Sequence, residues 1–257
     1  RATKRADDLH AWCSALVEVK DWGAALTAFD EAAELVTDKT HAVGDFLDGA
    51  ALAAQELGRR DLPKRLERAW RQAPTFVRLR RWLGSSTHKK ALRQRAADAL
   101  SACPKQARRQ RAFLHYLLGD LADAAKILAS APGLGWSDGD HPGHLLFPLF
   151  CSLLGDVELS TEVDGDFDEF SLMSPRDGQR IDTPDVAVLV QLADVAAPTD
   201  GRTRTAVLKA MRKAAEKRIE GVTENKRRRH YGHAASLALL CAQVDATPEA
   251  AAWLAAI

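Results

Sequence analysis

A chain of 257 residues with 46% hydrophobic and 28% charged content and a formal net charge of +1 is long enough for one large or two modest cores, which excludes disorder throughout. Aromatic residues make up only 6%, Ala is frequent and β-branched residues are sparse, so helix is favoured over sheet. The longest nearly unbroken apolar run, Leu145 to Leu154, falls far short of the ~20 residues of a membrane span, and no membrane partner is expected.

The chain opens on "RATKRADDLH", with neither an initiator Met nor an apolar signal region, and is expected to be part of a longer protein. In "DDLHAWCSALVEVKDWGAALTAFDEAAEL", residues 7 to 35, Leu9, Trp12, Leu16 and Val19 recur at helical spacing. Asp21-Trp22-Gly23 interrupts, and Ala25, Phe29 and Ala32 resume on one face of a second helix, which predicts an antiparallel helix pair. "LLGDLADAAKILASAP", residues 117 to 132, repeats the arrangement, with Asp120, Ala124 and Leu128 matching Asp21, Ala25 and Phe29. The two copies are 99 residues apart, about three units of the ~34-residue period of a tetratricopeptide repeat. Segments 51 to 74 and 76 to 104 between them each read as helix, turn, helix and a terminating Pro, with Pro74, Pro104 and Pro132 as punctuation.

"KDWGAALTAFDEAAEL" resembles the second half of the tetratricopeptide repeat: a polar-aromatic turn, a small residue, a large one four later and a small one three after that. The resemblance implies an all-α superhelix of degenerate helix pairs, a solenoid whose groove binds other proteins. Ala-rich helix pairs of another superhelical type would leave nearly the same pattern.

After Pro132 comes the turn-rich "GLGWSDGDHPG", then a short apolar helix from about His144 to Leu154, then an acidic, loop-like stretch from 155 to 183. Thr183-Pro184 starts a helix to about Ala196, Thr199-Asp200 starts another to Glu220, Thr223 is expected to cap a third, and Thr247-Pro248 opens the last. The expected organisation is helical repeats over 1–132, a turn-rich segment with an acidic loop excursion over 133–183, and helical repeats over 184–257 continuous with the first. Two helical lobes joined by the loop is the alternative. "ENKRRRHYGHAASLALLCAQV" is similar to the helical C-terminal regions of bacterial proteins that carry a SWIM-type zinc finger upstream, which implies a bacterial source. The finger's CxC and CxH are absent from this sequence.

Two groups pose a metal question: His141, His144 and Cys151, and His230, His233 and Cys241. Zinc takes four ligands held close together. Cys151 follows His144 by seven residues, about 10 Å of helix, and His141 precedes Pro142-Gly143, outside that helix. Packing on a helix face is therefore expected, with no metal. "EVDGDFDEF", residues 162 to 170, fails the EF-hand spacing from either start: from Asp164 the sixth residue is Glu169 and the twelfth Pro175. No nucleophile elbow, phosphate loop, dinucleotide fingerprint or HExxH occurs, so neither an enzyme nor a cofactor is expected. Cys13, Cys103, Cys151 and Cys241 lie at least 48 positions apart among apolar neighbours, as in a reducing cytoplasm.

Charge is the strongest functional signal. Residues 59 to 111 hold 17 Lys and Arg against three acids, while 112 to 200 hold three against 16. The candidate interaction surface is Arg78, Arg80, Arg81, Lys89, Lys90, Arg93, Arg108 and Arg109, together with Arg228 and Tyr231. The expected function is a non-enzymatic scaffold with a protein partner. A nucleic-acid-binding module that uses the basic 59–111 stripe is the alternative. Trp70, Phe76 and Trp82 within the stripe are expected in the core.

Overall fold

A computed structural model describes residues 6–36, 40–155, 157–159, 163 and 181–257. Thirteen α-helices and one 3-10 turn account for the regular structure among them, and no strand occurs among the described residues. The chain forms two compact units: Arg1–Leu92 with Ser171–Leu189, and Arg93–Phe170 with Val190–Ile257.

In the first unit, α1 (Ala6–Glu18) and α2 (Trp22–Leu35) form the expected pair. Lys20 turns the chain with φ of 57°, and Asp21 caps α2 by accepting from the Ala24 amide at 3.1 Å, so the polar-aromatic turn is a helix stop followed by an N-cap. Helix α3 (Thr40–Glu56) starts well before the segment in which the sequence pattern finds it. Ala25, Ala28 and Ala32 of α2 and Ala50, Ala53 and Ala54 of α3 are all buried, and such small side chains let the two backbones approach. Gly49 admits the Phe29 ring where a Cβ would stand 2.3 Å from it. Helices α4 (Leu62–Gln72) and α5 (Phe76–Gly84) follow, with Trp70 and Trp82 stacked at 5.2 Å and almost fully buried as expected, whereas Phe76 is only partly buried. The division between the units runs through α6 (Lys89–Ala102) and α10 (Val186–Ala193).

In the second unit, α7 (Arg108–Leu118) ends at Gly119 with φ of 85°, a left-handed position that favours glycine, and α8 (Leu121–Ser130) follows. Helix α9 (Gly143–Leu154) is almost wholly buried and α8 packs on α11 (Gly201–Glu224). The Lys217 ammonium of α11 donates to the carbonyls of Ala129 and Ala131 at 2.9 and 3.0 Å, satisfying acceptors at the C-terminal end of α8. Asp200 and Thr247 cap α11 and α13 (Pro248–Ala256) as expected, accepting from the Thr203 and Ala250 amides.

Helix boundaries later in the chain also differ from expectation. Helix α10 stops at Ala193, short of Ala196, where Asp194 takes a positive φ of 47°. Thr223 caps nothing: α11 runs through it, and its hydroxyl bonds back to the carbonyls of Ile219 and Glu220. The next helix, α12 (Tyr231–Asp245), begins only after the 3-10 turn Arg228–His230. Most of the acidic stretch, including the EF-hand-like 162–170 apart from Val163, lies outside the described residues.

Candidate functional site

Three of the expected surface cations are internal. Arg78 is 6% exposed, and its guanidinium reaches Asp45 at 2.8 Å, Asp48 at 2.9 Å and the Ala73 carbonyl at 3.1 Å. Arg80, also 6% exposed, donates to the Pro184 carbonyl at 2.9 Å. Arg109, 7% exposed, donates through Nε to the His141 carbonyl at 3.2 Å. Partly buried Arg81 donates to Thr183 Oγ1 at 2.9 Å and lies 3.3 Å from Asp48. Lys89 and Arg93 are partly buried, and Arg93 Nε has no hydrogen-bond partner among the described residues. Lys90, Arg108 and Arg228 are exposed, and Tyr231 is half-exposed. Guanidiniums so enclosed hold helices and loops together; they are not open to an approaching phosphate chain.

The two histidine groups, separate in sequence, meet inside the second unit. Trp136, in the turn that links α8 to α9 and 3% exposed, is ringed by His141 at 5.0 Å, His144 at 5.9 Å and His233 at 5.0 Å between ring centroids. His144 and His233 are 5.7 Å apart. His141 stands in the turn before α9, as the sequence implies, with both ring nitrogens engaged: Nε2–H donates to the Pro132 carbonyl at 3.0 Å and Nδ1 accepts from the Gly143 amide at 3.0 Å. The Nδ1 of His233 accepts from Arg218 Nε at 3.3 Å, and its Nε2 is buried without a hydrogen-bond partner among the described residues. Arg218 also donates to the Gly133 carbonyl at 3.3 Å, so α11 holds both the turn and the start of α12.

Burial, reinforced by Arg109, His141 and Arg218, lowers the His144 pKa to about 4. Burial, with Arg218 and His144 beside it, lowers that of His233 to about 3. His141 is also held below its ordinary value, chiefly by burial. The imidazoles are therefore neutral at pH 7. Among the described residues, no group of three or more His, Cys, Asp or Glu side chains is placed to hold a metal ion. Cys151 and Cys241 are buried on α9 and α12.

No family model matches the chain, and neither the curated proteins nor the solved structures include a significant match. No described helix is long and apolar enough to cross a membrane.

Trp136 and Arg218 escape sequence reasoning. The first lies in a passage read only as turns, the second within a long amphipathic helix. The available signal was the doubling of the HxxH and Cys pattern, which gains meaning when its two copies are placed against each other.

Proposed function

We propose that this chain is a non-catalytic module of tetratricopeptide-like helix pairs that binds another protein. The observation that carries this reading is the inward use of Arg78, Arg80 and Arg109, which interrupts the cationic stripe of the 59–111 block, although Arg59, Arg60, Lys64, Arg68, Arg71, Lys90, Lys105 and Arg108 stay exposed. An apolar stripe adds support. Trp12 and Ala15 of α1, with Val19 just beyond its end, stand exposed at helical spacing, Trp12 by 42% and Val19 by 73%, while Leu9 and Cys13 serve the unit's own core. Trp, with Tyr and Arg, is enriched among the residues that dominate binding energy at protein interfaces.

Titration of labelled duplex and single-stranded oligonucleotides tests the choice. Binding weaker than micromolar is expected at 150 mM salt. Charge reversal belongs at the exposed Lys64, Arg68, Lys90 and Arg108, since reversing Arg80 or Arg81 would break internal contacts. Micromolar binding that this reversal abolishes, and that weakens by orders of magnitude between 50 and 200 mM salt, would give the function to nucleic acid.

A further inference from the structure

The cluster around Trp136 is built for uncharged imidazoles. The Nδ1 atoms of both His141 and His233 act as acceptors, from the Gly143 amide and from Arg218 Nε. A protonated imidazole has no acceptor nitrogen, so charging either ring turns a hydrogen bond into two donors facing each other about 3 Å apart. At His233 the opposing donor is itself a cation.

The surroundings give little to offset the charge. His233 faces Arg218 from α11, His144 from α9, His141 from the turn and His230 from the 3-10 turn. His144 faces Arg109 from α7, Arg218 and His141. Among the described residues, the acid that acts on this cluster is Asp138, in the turn, and it acts on His141, whose other charged neighbours are Arg109 and Arg218.

We propose that this cluster is an acid-sensitive latch: protonation of His233 and His144 releases the first turns of α12, with the 3-10 turn before them, from α11 and from the turn that carries Trp136. The rest of α12 is anchored separately by Leu237, Ala238, Leu240, Cys241 and Val244, all buried, so the release is local. What it frees is the exposed cationic run Lys226 to Arg229 together with Tyr231, next to imidazoles that have just become cationic.

The direction follows from linkage. Both rings have a folded-state pKa below the ordinary 6.5, at about 4 for His144 and about 3 for His233, so the opened form binds protons first. The closed latch is fully favoured above pH 6.5 and is progressively lost as pH falls from there through about 4 for His144 and about 3 for His233.

Amide hydrogen exchange on the whole chain between pH 6.5 and 4.5, corrected for intrinsic rates, reads the opening. The opening constant of the first turns of α12 is expected to rise by about tenfold per pH unit for each imidazole that takes up a proton. Helix α2, which holds no histidine, should show no such slope. The double variant His233→Asn, His144→Gln keeps an acceptor for Arg218 but cannot be charged, and it should lose the slope. An α12 whose protection does not change with pH, or a slope that persists in the double variant, would overturn the proposal. Should the variant not fold, the ring-proton titrations of the wild-type histidines decide: no titration above pH 4.5 in the closed form supports the latch, and titration of His144 and His233 near 6.5 with α12 still protected sinks it.

Discussion

Arg78, 6% exposed, bridges α5 to α3 by donating to Asp45 and to Asp48 at once, 33 and 30 residues earlier in the chain. Asp48 also faces Arg81, yet its pKa is raised because burial outweighs the attraction of Arg78 and Arg81. Removing Arg78 would leave Asp48 to Arg81 alone and Asp45 to solvent, with the charge-assisted hydrogen bonds lost.

Arg78→Ala is therefore expected to destabilise the chain by about 1.5–3 kcal/mol in denaturant unfolding, through the loss of its hydrogen bonds to charged partners. Asp48→Asn, which removes a buried charge and keeps the hydrogen-bonding shape, should cost less. Lys126→Ala breaks a pair whose side chains are 77% and 52% exposed, and should cost less than about 1 kcal/mol. Equal losses for Arg78→Ala and Lys126→Ala would mean that the Arg78 bridge contributes no more than a surface pair.

Gly133 is needed for close approach. A Cβ there would stand 1.9 Å from the Lys217 carbonyl oxygen, a backbone atom of α11 that cannot rotate away. Gly133→Ala should force the turn off α11 and lower stability by roughly 1–3 kcal/mol. Gly201→Ala, in the first turn of α11 with open space around it, should be neutral or stabilise by about 0.4–1 kcal/mol. Thermal unfolding of the two variants separates packing from backbone entropy.

Ala25 and Ala124, the small residues of the two matching helix pairs, are both 0% exposed. Leu at either position is expected to overpack a helix crossing and cost roughly 1–3 kcal/mol, measured by the shift in denaturation midpoint. A surface-like response at both would show that the sequence register of the repeat does not correspond to the packing.

The starts of α2, α11 and α13 were legible because they rest on local signals: Asp21, Asp200 and Thr247 each cap the helix that follows. The cationic stripe was misleading for a physical reason. Arg carries a long apolar stem and five donors, so it can serve the interior as readily as the surface. Composition does not distinguish Arg78 among carboxylates of α3 from Lys90 in solvent. The histidine cluster was half legible: the spacing argument excluded each group alone as a four-ligand site, but the meeting of α9 with α12 is a long-range contact that no local pattern encodes.

All four cysteines are buried thiols, with burial raising Cys13 and Cys103 to about 11, Cys151 to about 12 and Cys241 further still. Nucleophilic attack requires the thiolate, so the folded chain should react with iodoacetamide at pH 8 far more slowly than an exposed thiol. Mass spectrometry should show four alkylations in denaturant and few or none without it. Rapid labelling of any one cysteine in the folded chain would place that thiol at a surface.

Zinc offers the sharpest check on the histidine cluster. Both nitrogens of His141 are engaged with backbone groups, and Nδ1 of His233 is engaged with Arg218. What is left to a metal is His144 and the Nε2 of His233, beside two guanidiniums that repel a dication, whereas a structural zinc takes four ligands at about 2.0–2.3 Å. Protein purified without chelator should therefore carry less than about half an equivalent of zinc by elemental analysis. One full equivalent, lost on His144→Gln or His233→Asn, would mean that the turn around Trp136 rearranges to complete a metal site, and the neutral imidazole cluster would then be its empty form.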